Sequence, residues 1–248
     1  MAGHSHWHGI RHKKELEDKK RAKIFSKLAR MIAVAAREGK DPETNPKLRM
    51  AIEQAKEFRM PKESIEKAIK RGAGEIEGER YEEFIFEALG PGNIAILIEG
   101  ITDNRNRALL EIKQILNKFG GKLAQEGSLR WMFKRMGVIR ISQISNVKSQ
   151  NLEKEEVELR VIEAGAEDFV WRNGVLEVYT KPEELEKVKE RLIQEGFKIE
   201  SAQLEWVPNE EIDIDKEDKE KAQKLFEELD ENDNVQEIYS NLKMDEVN

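Results

Sequence analysis

The sequence contains no cysteine among its 248 residues, which excludes disulfide bonds, cysteine metal sites and thiol catalysis. Aromatic residues are also scarce, at 6% of the chain. No apolar run approaches the roughly 20 residues that a membrane-spanning helix requires. The first residues lack the apolar core of a secretory signal. These absences predict a cytoplasmic protein that has no membrane partner.

Histidine is confined to the N-terminal end, at His4, His6, His8 and His12. Histidine is the usual base that activates a serine or threonine nucleophile, and a base on a mobile arm cannot be held against one. The glycine patterns that cradle phosphates in nucleotide-binding enzymes are absent as well. The sequence therefore predicts no enzyme, no cofactor and no small-molecule substrate.

The N-terminal tripeptide Ala2-Gly3-His4 offers one alternative of a different kind. If Met1 is removed, a free amine, two amide nitrogens and the His4 imidazole form a nitrogen set that Cu(II) or Ni(II) prefers. Such a terminal chelate also arises by chance, and a polar tail is the simpler interpretation. We predict no metal site, with a site at His4 as the alternative.

Charge is distributed very unevenly along the chain, whose net charge is −7. Residues 1–72 contain 19 Lys and Arg against 10 Asp and Glu, a balance of +9, and the remainder has a balance of −16. An acidic body repels phosphate whereas a basic end attracts it. A nucleic acid should therefore meet the N-terminal end.

Residues 11–37 carry an apolar stripe at helical spacing. It consists of Ile24, Leu28, Met31, Ile32 and Ala35. Because this stripe must face a core, the lysines and arginines around it should point at solvent, with nothing nearby to neutralise them. Such a surface suits a nucleic acid. The alternative is an ordinary solvated face, because three acidic residues interleave with the lysines.

Helix signals follow one another through the first part of the chain. The first helix should end near Gly39, the second should begin at Asn45-Pro46, and the third should run from Pro61 to Gly72. The connection between the second and third helices could belong to a DNA-reading helix-turn-helix, but it lacks the usual glycine. Packing of three helices without a reading helix is the more common explanation.

Strand signals begin beyond a Gly- and Glu-containing linker at residues 73–79. The patterns predict strands at 81–89 and 93–101, a helix after them, and a strand-like run ending near Arg135. From Gly137 the order is β-α-β-β-α-β, which is typical of a ferredoxin-like domain, with a hairpin at Asn173-Gly174. Residues 208–248 add a short strand at 211–215, a helix and a last strand.

These elements predict an α+β fold with an N-terminal three-helix bundle followed by two α/β domains, one of ferredoxin-like order inserted into the other. The predicted parts are a flexible basic arm at 1–20, a three-helix domain at 21–78, a discontinuous α/β domain at 79–136 plus 208–248, and the inserted ferredoxin-like domain at 137–207.

The polar run T-D-N-R-N-R, residues 102–107, lies where a predicted strand ends and a helix begins. Free N–H groups at a helix start attract anions, and Arg105 and Arg107 would add donors. The alternative is local capping, in which Asp103 and Asn104 serve the helix itself.

Taken together, the motifs resemble the YebC/PmpR family over the whole chain. They are M-A-G-H-S at 1–5, K-R-A-K-I-F-S-K-L at 20–28, A-A-R-E-G-K-D-P-E-T-N-P-K-L-R at 35–49, M-P-K-E-S-I-E-K-A-I-K-R-G at 60–72, G-P-G at 90–92, T-D-N-R-N-R at 102–107 and G-G-K-L at 120–123. The resemblance implies a three-helix bundle and two α/β domains. It also implies a transcriptional regulator that binds DNA, although mitochondrial relatives are translational activators and bacterial relatives are linked to relief of ribosome stalling.

We therefore predict a DNA-binding transcriptional regulator. Its alternative is a ribosome-associated translation factor that binds ribosomal RNA, and a third reading is a scaffold that meets protein partners on its acidic domains. Phosphate contacts alone do not separate DNA from RNA. The predicted nucleic-acid-binding residues are Arg11, Lys13, Lys14, Lys19, Lys20, Arg21, Lys23, Lys27, Arg30, Lys70, Arg71, Arg105 and Arg107.

Overall fold

The computed structural model describes residues 18–78, 80–143, 154–172 and 174–243, with residues 18–20, 142 and 143 described by their backbone alone. The helices of this part of the chain are α1 (Asp18–Ala35), α2 (Pro46–Glu57), α3 (Lys62–Gly72), α4 (Arg105–Lys118), α5 (Lys154–Glu163), α6 (Leu185–Gln194) and α7 (Lys216–Asp230). None of these helices is long and apolar enough to span a membrane.

The strands of the described residues are β1 (Glu82–Leu89), β2 (Ala95–Thr102), β3 (Lys122–Leu123), β4 (Phe133–Gln143), β5 (Asp168–Arg172), β6 (Val175–Thr180), β7 (Lys198–Pro208) and β8 (Val235–Ser240). They form two four-stranded sheets with the orders β3-β1-β2-β8 and β5-β6-β4-β7. The predicted α+β fold is confirmed.

Contacts group the described chain into two compact units. One contains residues 18–129 and Ile214–Ile238, so the helical part α1–α3 shares it with the first sheet. The other contains Arg130–Asp213 with residues 239–243. The four predicted domain boundaries stay a prediction, because a grouping of contacts does not show which parts fold independently.

Asn45 organises the start of α2, as predicted. Its side-chain oxygen accepts a hydrogen bond from the Leu48 N–H at 3.0 Å, and Pro46 occupies the first helical position. The Asn45 amide donates to the carbonyls of Ala35 and Gly39 at 2.8 and 2.7 Å. This one side chain therefore caps α2 and also ties it to the end of α1.

The turn between α2 and α3 is tight although it has no glycine. Arg59 takes a left-handed conformation, with φ of 57°. Its N–H donates to the Lys56 carbonyl and the Met60 N–H donates to the Ala55 carbonyl, both at 2.9 Å. These two bonds form the helix ending in which glycine is the usual residue. The connection forms a tight turn without the usual glycine, and an exposed arginine occupies its left-handed position.

The first sheet places α4 at the end of β2. Strands β1 and β2 pair antiparallel from Glu82 with Thr102 to Leu89 with Ala95. Strand β3 pairs with the end of β1 and was not predicted, because two residues are too few for a period-2 pattern to appear. Most side chains of β2 are buried, and its last residue, Thr102, is the first residue of the T-D-N-R-N-R run.

The second sheet has the predicted β-α-β-β-α-β order in the sequence β4, α5, β5, β6, α6, β7. Residue Asn173 lies outside the described residues, but Arg172 and Val175 pair across the hairpin that its dipeptide predicts. One face of the sheet packs against α5 and α6 in an apolar core. Its buried members are Ile139, Ile141, Val157, Val161, Ala164, Leu176, Val178, Leu185, Val188, Leu192 and Phe197.

The opposite face of this sheet buries an ion network that the alternating pattern did not reveal. Arg140 on β4 donates from Nε to Glu177 at 2.8 Å, and from Nη1 and Nη2 to Glu205 at 2.5 and 2.9 Å. The hydroxyl of Tyr179 donates to Glu177, and the amide of Gln203 donates to Glu205, both at 2.9 Å. Burial alone would lower the pKa of the Arg140 guanidinium, but Glu205 and then Glu177 raise it above its ordinary value.

Three predicted strands differ from the structure. The run ending near Arg135 and the strand after Gly137 are one strand, β4, because Gly137 continues the pairing opposite Leu204 instead of breaking it. A Cβ there would lie 2.3 Å from the hydroxyl oxygen of Thr180, so the glycine allows a close approach. The predicted strand at 211–215 is wrong, since only an isolated bridge joins Ile212 to Leu242.

Candidate nucleic-acid interface

Three predicted nucleic-acid-binding residues of α1 contact protein instead of pointing at solvent. Lys23, Lys27 and Arg30 lie on one side of the helix and meet residues 230–234, here called the acidic turn, at the end of α7. Lys23 donates to the Glu231 carboxylate at 2.8 Å and also to its carbonyl. The cations thus meet carbonyls at a helix C-terminus, where positive charge is stabilising.

Lys27 is the most buried of these cations, with 2% of its side chain exposed. Its ammonium donates to the carbonyl of Asp230 at 2.9 Å and to the carboxylate of the same residue at 3.1 Å. Burial lowers the pKa of the Lys27 ammonium, and Asp230 only partly offsets this effect. The expectation that Lys27 is free to meet phosphate is wrong, because its donors are occupied inside the protein.

Arg30 binds three backbone and side-chain oxygens at the same place. Its Nη1 donates to the carbonyl of Asp233, to the carbonyl of Ile101 at 3.4 Å and to the side-chain oxygen of Asn234 at 3.4 Å. Its guanidinium also lies 5.5 Å from the ring centroid of Tyr81. The expectation that nothing neutralises this side of α1 is therefore wrong, and the partners lie about 200 residues further along the chain.

The T-D-N-R-N-R run serves its own helix. The Asn104 side chain accepts a hydrogen bond from the Arg107 N–H at 3.0 Å, which is the capping alternative that the sequence offered. Arg107 pairs with Asp103 and lies 3.9 Å from Glu111. Arg105 stacks over the ring of Phe86, 5.2 Å from its centroid. Both predicted arginines are therefore engaged locally.

The two predicted segments nevertheless meet at one place. Arg30 and Arg107 line a cavity of about 400 Å³ together with Glu111 and residues 231–234. Glu111 accepts hydrogen bonds from the side chains of Asn232 and Asn234 at 3.0 Å. Because the acidic side chains here match the arginines, the cavity offers a nucleic-acid phosphate little attraction.

Cations remain exposed on the outer side of the helical part. Lys70 is exposed in the last turn of α3, and Lys67 lies one turn before it. The side chain of neither lysine has a hydrogen bond or ion pair among the described residues. Lys56 and Arg59 around the α2–α3 turn share both properties. Lys56, Arg59 and Lys67 were not among the predicted binding residues, although Lys56 and Lys67 lie away from the buried residues of α2 and α3, which the helical periodicity indicates.

The remaining predicted residues lie at the start of the chain. Arg21 is exposed on α1. Lys19 and Lys20 belong to the same helix but are described by their backbone alone. The other predicted cations of the arm, and the alternative metal ligand, lie outside the described residues; they are Arg11, Lys13, Lys14 and His4. Their roles stay a prediction.

Fold and surface together define an α+β protein with two four-stranded sheets and a helical end that carries surplus positive charge. Family models identify it further: one described as the TACO1/YebC protein N-terminal domain matches residues 5–75, and one described as the TACO1/YebC second and third domain matches residues 81–242. The chain belongs to the TACO1/YebC family, which confirms the resemblance that its motifs carry.

Relatives of known sequence cover the chain from end to end. A protein of Halothermothrix orenii named "Probable transcriptional regulatory protein" is 47% identical, over 100% of this chain and 97% of its own. A Thermotoga maritima protein of the same name is 44% identical, over 99% and 95%. The crystal structure of a conserved hypothetical protein from Aquifex aeolicus is 45% identical, covers 98% of both chains and superposes with a TM-score of 0.84.

Proposed function

We propose that the protein is a cytoplasmic transcriptional regulator that binds duplex DNA by its phosphates, through the basic arm and the exposed cations of the helical part. The observation that carries the proposal is the surplus of exposed cations on α2, on α3 and in the turn between them, whose side chains have no ion-pair partner among the described residues: Lys56, Arg59, Lys67 and Lys70. This surplus of positive charge does not include Lys23, Lys27 and Arg30 of α1, which contact the acidic turn. The names of the relatives support the regulatory role.

Phosphate contact is favoured over base reading by the charges of α3. Its first half exposes Glu63 and Glu66, and Glu66 lies 3.7 Å from Lys62 at the helix start. The other cations of the helix, Lys67, Lys70 and Arg71, lie in its last two turns. A reading helix places its N-terminal residues in the major groove, where these carboxylates would approach phosphates. We infer that α3 binds alongside the backbone and that sequence preference has another source. The role is one of binding and not of catalysis, because every histidine lies within residues 1–12.

A ribosome-associated translation factor is the second candidate, because phosphate contacts fit ribosomal RNA equally well. The phosphate-only character of α3 favours it, since recognition of folded RNA by shape needs no base-reading helix. Under this candidate the same exposed cations would bind, so substitutions that weaken DNA binding would weaken ribosome binding in parallel. Competition between the two partners separates the candidates.

Replacing Arg21, Lys67 and Lys70 together with glutamine should weaken binding to duplex DNA by about 10- to 100-fold near 0.15 M salt. Each lost phosphate contact also lowers the slope of log affinity against log salt by about 0.9, so the slope should fall by about 3 if all three bind. Fluorescence anisotropy with a labelled duplex measures both quantities.

The matched control replaces Lys113, Lys122 and Lys224 with glutamine. These lysines are exposed in the acidic part of the chain, on α4, β3 and α7, and the change in net charge is the same. The control should alter the affinity by less than about twofold. Equal losses in the two variants would show that only net charge matters and would refute the proposed surface.

A further inference from the structure

A second cavity in the helical part contains more positive charge than its surroundings neutralise. It measures about 740 Å³ and lies where α3 ends and the chain continues toward β1. Arg37, Arg71 and Arg80 line it, and Glu77 is the acidic residue in its described lining. Of these three arginines, only Arg71 is among the predicted nucleic-acid-binding residues. The other two join it because the fold returns the chain from α3 past the end of α1.

One acidic residue of the segment after α3 pairs with a lysine outside the cavity lining. Glu75 pairs with Lys40 at 2.6 Å, and this hydrogen bond lowers the pKa of the Glu75 carboxyl. The carbonyls at the end of α3 are also occupied, since the N–H groups of Ala73, Gly74 and Glu75 donate to them at 2.9 to 3.1 Å. The arginines of the cavity therefore have few acceptors in the protein itself.

The hydrogen bonding of the arginines is incomplete. Arg37 donates to the carbonyl of Tyr81 at 2.9 Å, which uses one of its five N–H groups. The Nε of Arg71 is buried and has no hydrogen-bond partner among the described residues. Arg80 is exposed at the rim. A buried donor without an acceptor is costly, so an occupied state in which an oxygen reaches Arg71 is favoured.

We propose that this cavity binds a phosphate group of a nucleic-acid strand, and the inference rests on the proposed function. Planar guanidinium groups match the oxygens of phosphate better than those of most other anions. A strand is the favoured source because Lys67 and Lys70, both exposed, precede Arg71 on the last turns of α3 and add positive charge next to the cavity.

The test replaces Arg71 and Arg80 with glutamine and measures duplex DNA binding by anisotropy. The affinity should fall about tenfold near 0.15 M salt, and the salt slope should fall by about 2. The control replaces Lys113 and Lys122 with glutamine and should change the affinity by less than about twofold. Equal affinities for the two double variants would overturn the proposal.

A second variant perturbs the cavity without changing charge. A Cβ on Gly78 would lie 2.9 Å from Nε of Arg71, so Gly78→Ala should displace this side chain and weaken duplex binding about threefold. If the double variant does not fold, Gly78→Ala and Arg80→Gln alone decide the question. Unchanged binding in both would overturn the proposal.

Two further experiments separate the possible sources of the phosphate and separate this inference from the proposed function. In the first experiment, inorganic pyrophosphate is added to wild type, to R71Q/R80Q and to the complex with duplex. If it binds wild type but not R71Q/R80Q and fails to displace the duplex, the cavity binds a small phosphate ligand and the strand assignment is overturned. If R71Q/R80Q binds duplex normally while the Arg21, Lys67 and Lys70 variant does not, the inference fails and the proposed function stands. Normal binding by both variants would refute both.

Discussion

Arg140→Met should lower the free energy of unfolding by about 3–5 kcal/mol. Methionine fills a similar volume but removes the guanidinium that pairs with the buried carboxylates of Glu177 and Glu205. Glu177 then retains Arg172, at 3.4 Å. The two glutamate side chains are 8% and 0% exposed, so water cannot replace the guanidinium. Urea denaturation followed by circular dichroism measures the loss.

The matched control also removes the buried carboxylate charges of Glu177 and Glu205. Arg140→Met combined with Glu177→Gln and Glu205→Gln should recover about half of the lost stability, because no uncompensated carboxylate remains. The single variant should also be less impaired at pH 5 than at pH 8, since a protonated carboxyl is easier to bury. A loss below about 1 kcal/mol would mean that the network is open to water.

Lys27→Met should destabilise the protein by about 2–3 kcal/mol at neutral pH. The substitution removes the ammonium that donates to the Asp230 carboxylate, which is 13% exposed, and to the Asp230 carbonyl at the end of α7. The matched control is Lys23→Met on the same side of α1. Its partner Glu231 is 70% exposed, so the control should cost less than about 1 kcal/mol. Equal costs would show that burial at Lys27 is unimportant.

The same variant tests the lowered pKa of Lys27. In the window between the lowered pKa and the ordinary lysine value of 10.5, the unfolded chain binds more protons at this residue than the folded protein. Stability due to Lys27 therefore rises with pH through that window. The difference in unfolding free energy between wild type and Lys27→Met should widen toward pH 10.5, whereas a narrowing difference would show that the pKa is raised.

Local sequence signals were sufficient for most of the fold. Asn45-Pro46 marks the start of α2, and the alternation of helix and strand patterns after Gly137 yields the order of the second sheet. The strand boundary that was predicted at Gly137 is wrong for a physical reason. Glycine weakens strands in general, but here it permits the close approach of Thr180. Whether a glycine ends a strand or allows close packing within it depends on residues that are distant in sequence.

Long-range pairing explains why the candidate site was harder to predict. The apolar stripe of α1 indicates one buried face, but Lys27 and Arg30 are buried or half-buried on another. Their partners are in the acidic turn, more than 200 residues away in sequence. A charge pattern alone cannot distinguish a cation that meets phosphate from one that meets a distant carboxylate. Arg37 and Arg80 were not selected because only the folded chain brings them beside Arg71.

The measurement that tests the central claim most directly is a competition at near-physiological salt. Labelled protein bound to duplex DNA is challenged with purified ribosomes at equal phosphate concentration, in parallel with random-sequence duplex. The proposed function predicts that the protein stays on DNA and prefers some sequences over others. Transfer to ribosomes, with no preference among duplexes, would contradict it and identify the DNA affinity as the general attraction of cations for phosphate.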